Sequence, residues 1–503
     1  MGLKYPSTLL LAGTVITSSL PVIAIYAAFC FVLAGFAHWI LPPIIAAAYP
    51  ILNWGLHSGS SLPVDHYLDR WSVISRTLQL AAMLHLIIIL FIRAIDSKRS
   101  SSPIEIERAN SQINLVLIVF SAAFLTVSIL SQARGDYNAY IREWTDLLGG
   151  FDPWTWIIDL TFTHYGNAYG PLFNVLAPLL WFTPLASKLL FSFTYIVYVI
   201  WLIKDFGADR GLVALSWPVI VFWLVNPFAW VEIAFFGHFD VLVALACVAA
   251  VHGRVRDKDV FAGVCLALGI LLKFLPIVIL PFLAFDRRRF HFILFTSCAA
   301  LIIASLCVSV LVWGNATFAP LIFASSRSSI ASIYQIGSLV GSPRHLFPNA
   351  AHWLEKPLLL TAGLGVFTWS MVYKIGPALS AVLAILVTLQ FYRVGYINYQ
   401  MVLFSLVSYW AISEWKYLQE HSILSALLVG YFGFLAIVDG AIALGLEEYG
   451  SYSLVTVLCK SVLGFALLAS LLTHQAIQTV SGTAGEVRTR RQSRDTGSGP
   501  GSA

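Results

Sequence analysis

The sequence predicts an all-α polytopic membrane protein, and three observations carry that expectation. Of its 503 residues, 59% are apolar and only 11% are charged, against about 25% charged in a soluble globular chain. Apolar runs recur along almost the whole length, each of the longer ones sufficient to cross a hydrocarbon core of roughly 30 Å as a helix. Alternating ten-residue strands are absent, which excludes an outer-membrane barrel.

The clearest runs cover 20–41, 74–94, 113–131, 187–203, 210–226, 292–313, 376–392, 397–413, 421–440 and 453–473. Shorter pieces cover 171–183, 239–251, 260–272, 275–285 and 357–372. Together they predict a bundle of about thirteen transmembrane helices. One Lys precedes an apolar stretch that continues to about Trp54, so the start of the chain does not have the form of a cleavable signal. The segment after about Gln478 is rich in Gly, Ser and charge and is expected to be disordered.

Charge fixes the expected orientation. Basic patches occur at 92–108, 252–259, 285–291 and 486–494, and the positive-inside bias places them on the cytoplasmic side. They need no nucleic-acid partner to explain them. The six cysteines lie inside apolar runs without a CxxC pair, the pattern of buried thiols and not of disulfides or a metal site. With 95–108 inside, the run 113–131 emerges on the far side and 132–170 becomes an external loop. "WTDLLGG" and "FDPWTWIIDLTF" in that loop suit short amphipathic helices in the interface, with Trp144, Trp154, Trp156, Tyr165 and Tyr169 at belt depth. A second external loop covers 314–356. The longer loops on one face suggest that the chemistry is done there.

Four constellations could carry chemistry. Asp136 arrives directly after an uncharged run, with Arg134 and Arg142 close in sequence. A partly buried acid at a span's end can take a proton from a hydroxyl; a carboxylate merely solvating a helix end is the alternative. In 226–251, Asn226-Pro227 interrupts an apolar segment before Glu232, His238 and Asp240. Ionisable groups at that depth face a cavity or a partner, and a network that only fixes helix packing is the other reading. Lys273 lies centrally in an apolar stretch, three residues before Pro276. Two short helices meeting at this Lys would satisfy the basic flanks, and its ammonium would suit a phosphate; a Lys snorkelling from a single span is the bland alternative. Arg393, Tyr396, Asn398, Tyr399 and Gln400 gather at the start of another run, suited to sugar or phosphate, or equally to an aromatic belt. Arg327, Tyr334, Gln335, Arg344 and His345 in the second loop are further candidate ligands. No Walker loop, Rossmann glycines or zinc-type spacing occurs. A donor substrate would then come most simply from the membrane.

The order of these elements resembles the GT-C superfamily of membrane glycosyltransferases. The likeness is nearest to the polyprenol-phosphate-mannose-dependent mannosyltransferases and more distant to the GPI-anchor mannosyltransferases. It rests on Asp136, Tyr140 and "GGFDPW" (149–154), "YGPLFN" (169–174), "NPFAWVEIAFFGHFD" (226–240), "AGVCLALGILLKFLPIVILPF" (262–282) and, more loosely, "NYQMVLFSLVSYW" (398–410). Gly170 stands where those enzymes commonly carry Pro.

The resemblance implies a GT-C-like bundle with juxtamembrane helices in the first large external loop. It divides the chain into N-terminal spans (1–110), a catalytic core (111–290), a C-terminal membrane region (291–477) and a cytoplasmic tail (478–503). It implies Asp136 as the general base that activates an acceptor hydroxyl for inverting attack on a polyprenyl-phosphate sugar, with mannose the expected sugar. Lys273, His238 and Arg344 would meet the donor phosphate. Tyr140, Arg142, Asp240, Tyr169, Tyr399 and Gln400 would contact substrates. The acceptor would be a glycan or glycolipid, with no metal, other cofactor or nucleic acid. The site would face the outside of a bacterial plasma membrane or the ER lumen. A polymerase or ligase using lipid-pyrophosphate glycans, and a transporter, are the competing classes. Against the transporter, the hydropathy pattern shows no inverted repeat.

Overall fold

A computed structural model describes residues 65–97, 104–150, 169–206, 226–286, 289–321, 332, 334, 350–392, 394–446 and 452–473. The expected spans 20–41 and nearly all of 210–226 lie outside these residues. So do the helix expected at "FDPWTWIIDLTF", most of the second loop and the segment from 474 onward. The described part is mostly helical. Its extended pairing is a two-residue ladder, β1 (Phe285–Asp286) against β2 (Arg289–Phe290), in which Phe285 pairs with Phe290. The chain forms two compact units: residues up to 167 with 172–242, and 168–171 with everything from 243.

In the first unit, α1 (Asp65–Ser97) and α2 (Ile104–Leu130) precede the short α3 (Asp136–Leu148), and α4 (Ala186–Ile200) continues into a wider π turn, Trp201–Phe206. Apolar surface gives helices little mutual attraction in lipid, so paired hydroxyls and rings do the joining. Ser128 Oγ on α2 meets Ser192 Oγ on α4 at 2.5 Å, and Thr77 Oγ1 on α1 meets Thr183 Oγ1 at 2.6 Å. Phe124 stacks on Tyr195 at 5.3 Å and packs on Trp230 at 4.9 Å. Lys204 in that π turn donates to Asn114 Oδ1 near the start of the apolar part of α2.

The second unit's long helices begin with α5 (Asp240–Val255), whose first three residues count with the first unit, and α6 (Asp259–Leu272). Their tight connection is charge-braced: Arg254 pairs with Asp257 at 2.8 Å and reaches His291 Nε2 at 2.6 Å, while His291 Nδ1 lies 3.2 Å from Asp259. α6 then crosses α7 (Phe292–Trp313) closely at Gly263, where a Cβ would fall 2.5 Å from the Leu294 carbonyl oxygen. α8 (Ala350–Val372), α9 (Pro377–Phe391), α10 (Gln400–Ser413), α11 (Ser422–Ala443) and α12 (Leu454–Thr473) complete the unit. Its core is α9 and α10, buried on every side from Leu379 to Gln390 and from Gln400 to Ile412. α7 is the opposite: Phe292, Ile303, Val308 and Leu311 are all exposed, a surface that hydrocarbon tails would cover.

Five helical stretches among the described residues are long and apolar enough to cross a membrane: Ile113–Leu130, Ala186–Lys204, Phe292–Trp313, Ser422–Ala443 and Leu454–Thr473. Several of the other runs form shorter helices, because local geometry breaks them. The run at 171–183 is a four-residue helix, Pro171–Asn174, followed by a 3-10 turn, Ala177–Trp181. The pieces at 260–272 and 275–285 are separated at Lys273, which is extended, and the second forms the 3-10 turn Leu275–Ile279 and the short helix Leu280–Ala284. Pro276 and Pro281 sit in the first turn of those pieces, where a missing N–H costs nothing.

Candidate functional site

Asp136 is the first residue of α3. The chain turns from α2 into α3 through two left-handed residues, Gln132 (φ 53°) and Gly135 (φ 51°). A carboxylate in a helix's first turn is stabilised in its ionised form by the helix dipole. The inner face of α3 carries Tyr137, Tyr140 and Trp144, all buried. Their spacing of three and four residues is that of an amphipathic helix, which starts eight residues before the expected "WTDLLGG" segment. Tyr140 packs edge-on against Phe173 at 5.2 Å and Phe239 at 5.6 Å, and Trp144 Nε1 donates to the Phe173 carbonyl at 3.2 Å. Arg142 is exposed on the outer face. Tyr140 is thus a packed ring that fixes α3.

His238 lies in a turn three residues beyond the π-type segment Trp230–Phe235, and Gly237 before it takes φ 75°. Its Nδ1 is 2.5 Å from Glu232 Oε2, and its Nε2 is 3.6 Å from Asp136 Oδ2. His238 and Glu232 are buried, while the Asp136 side chain is 38% exposed. The array therefore runs from a buried acid through an imidazole to an acid open to the exterior. Burial works against charge on His238; the negative charge of Glu232, with hydrogen bonds to Asp136 and Glu232, outweighs it and lifts the imidazole to about 10. The shift favours the imidazolium form, and both ring nitrogens face carboxylates. Asp240, two residues on, is fully buried at the start of α5.

A buried lysine braces this array. Lys188, in the first turn of α4, donates from Nζ to Ser131 Oγ at 2.7 Å, the Gln132 carbonyl at 2.6 Å and the Phe235 carbonyl at 2.7 Å. Beside it, the Tyr137 hydroxyl donates to the Pro184 carbonyl at 2.7 Å and accepts from the Lys188 backbone N–H at 3.1 Å. Burial keeps that phenol far above its ordinary range, so it stays a neutral donor. Sequence reasoning passed over Lys188, because one charge just inside an apolar run matches the pattern of a snorkelling side chain.

In the second unit, Lys273 stands at the break after α6 and is 5% exposed. Its Nζ lies 3.6 Å from the centre of the Tyr399 ring and 5.9 Å from that of Tyr169. A desolvated cation over aromatic faces gains about 2 kcal/mol. Tyr169 reaches this place because Gly170 packs against the end of α6: its N–H donates to the Leu272 carbonyl at 3.1 Å, and a Cβ there would lie 2.0 Å from the Leu271 oxygen. A Pro at 170 would supply neither the donor nor the space. Gln400, fully buried, accepts from the Tyr431 hydroxyl at 2.8 Å, while its Nε2 has no hydrogen-bond partner among the described residues. Lys460 on α12 donates to the Gly395 carbonyl at 2.6 Å, bracing the turn that carries Tyr399.

Arg344, Arg327, Gln335, His345 and Arg393 lie outside the described residues. Among the described residues, no group of three or more His, Cys, Asp or Glu side chains is placed to hold a metal ion. A shallow groove between Thr361 and Tyr373 is lined by α8 alone and touches none of the candidate residues.

No curated protein matches the sequence. A family model does: residues 167–413 match Glycosyltransferase family 87. The matched stretch is a little under half of the chain. It includes Glu232, His238, Lys273, Tyr399 and Gln400 and begins downstream of Asp136. With apolar helices fit to cross a membrane, this match supports a membrane glycosyltransferase.

Proposed function

We propose that the protein transfers a hexose, with mannose the first candidate, from a polyprenyl-phosphate donor to a glycan or glycolipid acceptor. The observation that carries this reading is the Glu232–His238–Asp136 array, with its outer acid accessible and its inner members buried. Asp136 is the general base. It takes the proton of the acceptor hydroxyl, whose oxygen attacks the anomeric carbon as the bond to the lipid phosphate breaks, inverting that carbon. The phosphate leaves with its electron pair as a stable anion. One base therefore suffices, unlike the paired carboxyls of a glycosidase. His238, held charged by Glu232, orients the Asp136 carboxylate; we assign it this role in place of the phosphate contact expected from the sequence.

The leaving phosphate needs a cation, and Lys273 is that cation, with Arg344 a second candidate. A phosphate competes well with aromatic rings for an ammonium, because a charge-assisted contact of about 1.5–3 kcal/mol exceeds a cation–π contact. Tyr169, Tyr399, Gln400, Arg142 and Asp240 are candidate substrate contacts, and Tyr140 serves by holding α3. Around these groups we place a GT-C-like bundle of about thirteen spans with its catalytic core in 111–290. The site faces the external or lumenal side of the membrane.

The test is incubation of the purified protein with radiolabelled polyprenyl-phosphate mannose and a membrane glycolipid extract. Transfer of label to acceptor supports the reading. Label remaining on the donor, with transfer from a lipid-pyrophosphate glycan, would point to a polymerase or ligase. Substrate uptake into proteoliposomes without any transfer would point to a transporter.

A further inference from the structure

We infer that Lys188 is a positioning residue for the transfer reaction, setting the distance between Asp136 and His238 by holding both of their backbone segments with one ammonium. The inference rests on the role proposed above for Asp136. An ammonium has three hydrogens, and each is spent on a different acceptor: Ser131 Oγ, the Gln132 carbonyl and the Phe235 carbonyl. Gln132 lies four residues before Asp136, and Phe235 lies three before His238. Ser131 extends the brace, since its hydroxyl also lies 2.8 Å from the Ala234 carbonyl.

The surroundings are shaped around this lysine. Gln132, whose carbonyl it binds, holds a left-handed conformation at φ 53°, which a non-glycine residue keeps only when its neighbours determine it. Gly237 has φ 75°, and a Cβ there would meet Lys188 Cγ and Tyr137 Cδ2, each at 3.0 Å. So the residue immediately before His238 is packed against the lysine's own stem. Lys188 is fully buried and cannot snorkel to an interface. The 3.6 Å separation between Asp136 and His238 is long enough that a small relative shift of the two turns would lose it.

A structural brace and a positioning residue differ in coupling. Residues acting through one shared element give strongly non-additive effects, whereas a general loss of folded protein multiplies through every background. Transfer is therefore measured in wild type, Lys188→Met, His238→Gln and the double variant, each normalised to folded protein. We expect Lys188→Met to lower turnover about 10- to 100-fold in the wild-type background and less than about threefold in the His238→Gln background. An equal loss in both would overturn the inference. If Lys188→Met does not accumulate as folded protein, Ser131→Ala removes one acceptor and keeps the lysine; its smaller loss should likewise vanish in the His238→Gln background. Asp136→Asn in the same assay separates the two claims. Full activity there removes the base and the clamp's purpose with it. An inactive Asp136→Asn with additive Lys188 effects removes the clamp alone.

Discussion

The two compact units bury charge in different ways. In the first, an imidazolium stands between two carboxylates, Glu232 at 2.5 Å and Asp136 at 3.6 Å. In the second, the ammonium of Lys273 rests on the ring faces of Tyr399 and Tyr169. An imidazole fixed by an acid on each side is suited to orienting a carboxylate, because its own position is set by both. An ammonium on aromatic rings stays charged, and the rings give way to a stronger anion. Each arrangement has its own buried lysine behind it: Lys188 on the Gln132 and Phe235 carbonyls, Lys460 on the Gly395 carbonyl. In the proposed reaction the first arrangement is assigned the acid–base work and the second the reception of phosphate.

That contrast can be broken from either side. Asp136→Asn carries the largest expected effect, a fall in kcat of about 10²–10⁴, with the donor's KM within about threefold of wild type. Lys273→Met should do the reverse, raising the donor's KM about 10- to 100-fold, the scale of one charge-assisted contact, with less effect on kcat. If steady-state kinetics show the two variants losing the same parameter, the division fails.

Smaller effects sharpen it. Gly170→Ala should cost about 1–3 kcal/mol of stability, the usual range for overpacking, since its Cβ would fall 2.0 Å from the Leu271 oxygen. Thermal unfolding in detergent reads this directly, and an unchanged melting point would contradict the close packing. The pH dependence of stability tests the first unit alone. His238 is raised from 6.5 to about 10, so its contribution is complete below about 6.5 and is lost as pH rises through about 10. In Glu232→Gln that loss should begin at lower pH, because the chief counter-charge is gone. A pH–stability curve that superimposes on wild type would show that Glu232 does not hold the imidazole.

The sequence makes some of this legible. Asp136, Glu232, His238 and Lys273 interrupt apolar runs, and a charge that must be partnered in a membrane announces itself. Pro276, three residues after Lys273, likewise signals the break that places the lysine between two short pieces. Lys188 gives no such signal, since its partners include carbonyls of two turns distant in sequence. The pairing of His238 with Asp136 across a hundred residues is equally invisible in one sequence. Span counting suffers for a related reason: the 3-10 turn at Ala177–Trp181 interrupts a run, 171–183, that composition alone reads as continuous.

The central claim is that Asp136 removes the acceptor proton, and a donor-loaded single-turnover experiment tests it most directly. Purified wild type and Asp136→Asn are each saturated with radiolabelled polyprenyl-phosphate mannose, bound label is counted, and acceptor is then added in excess. Equal donor occupancy with transfer slowed at least about 100-fold in Asp136→Asn is the predicted result. Transfer at the wild-type rate from equally loaded Asp136→Asn would contradict it.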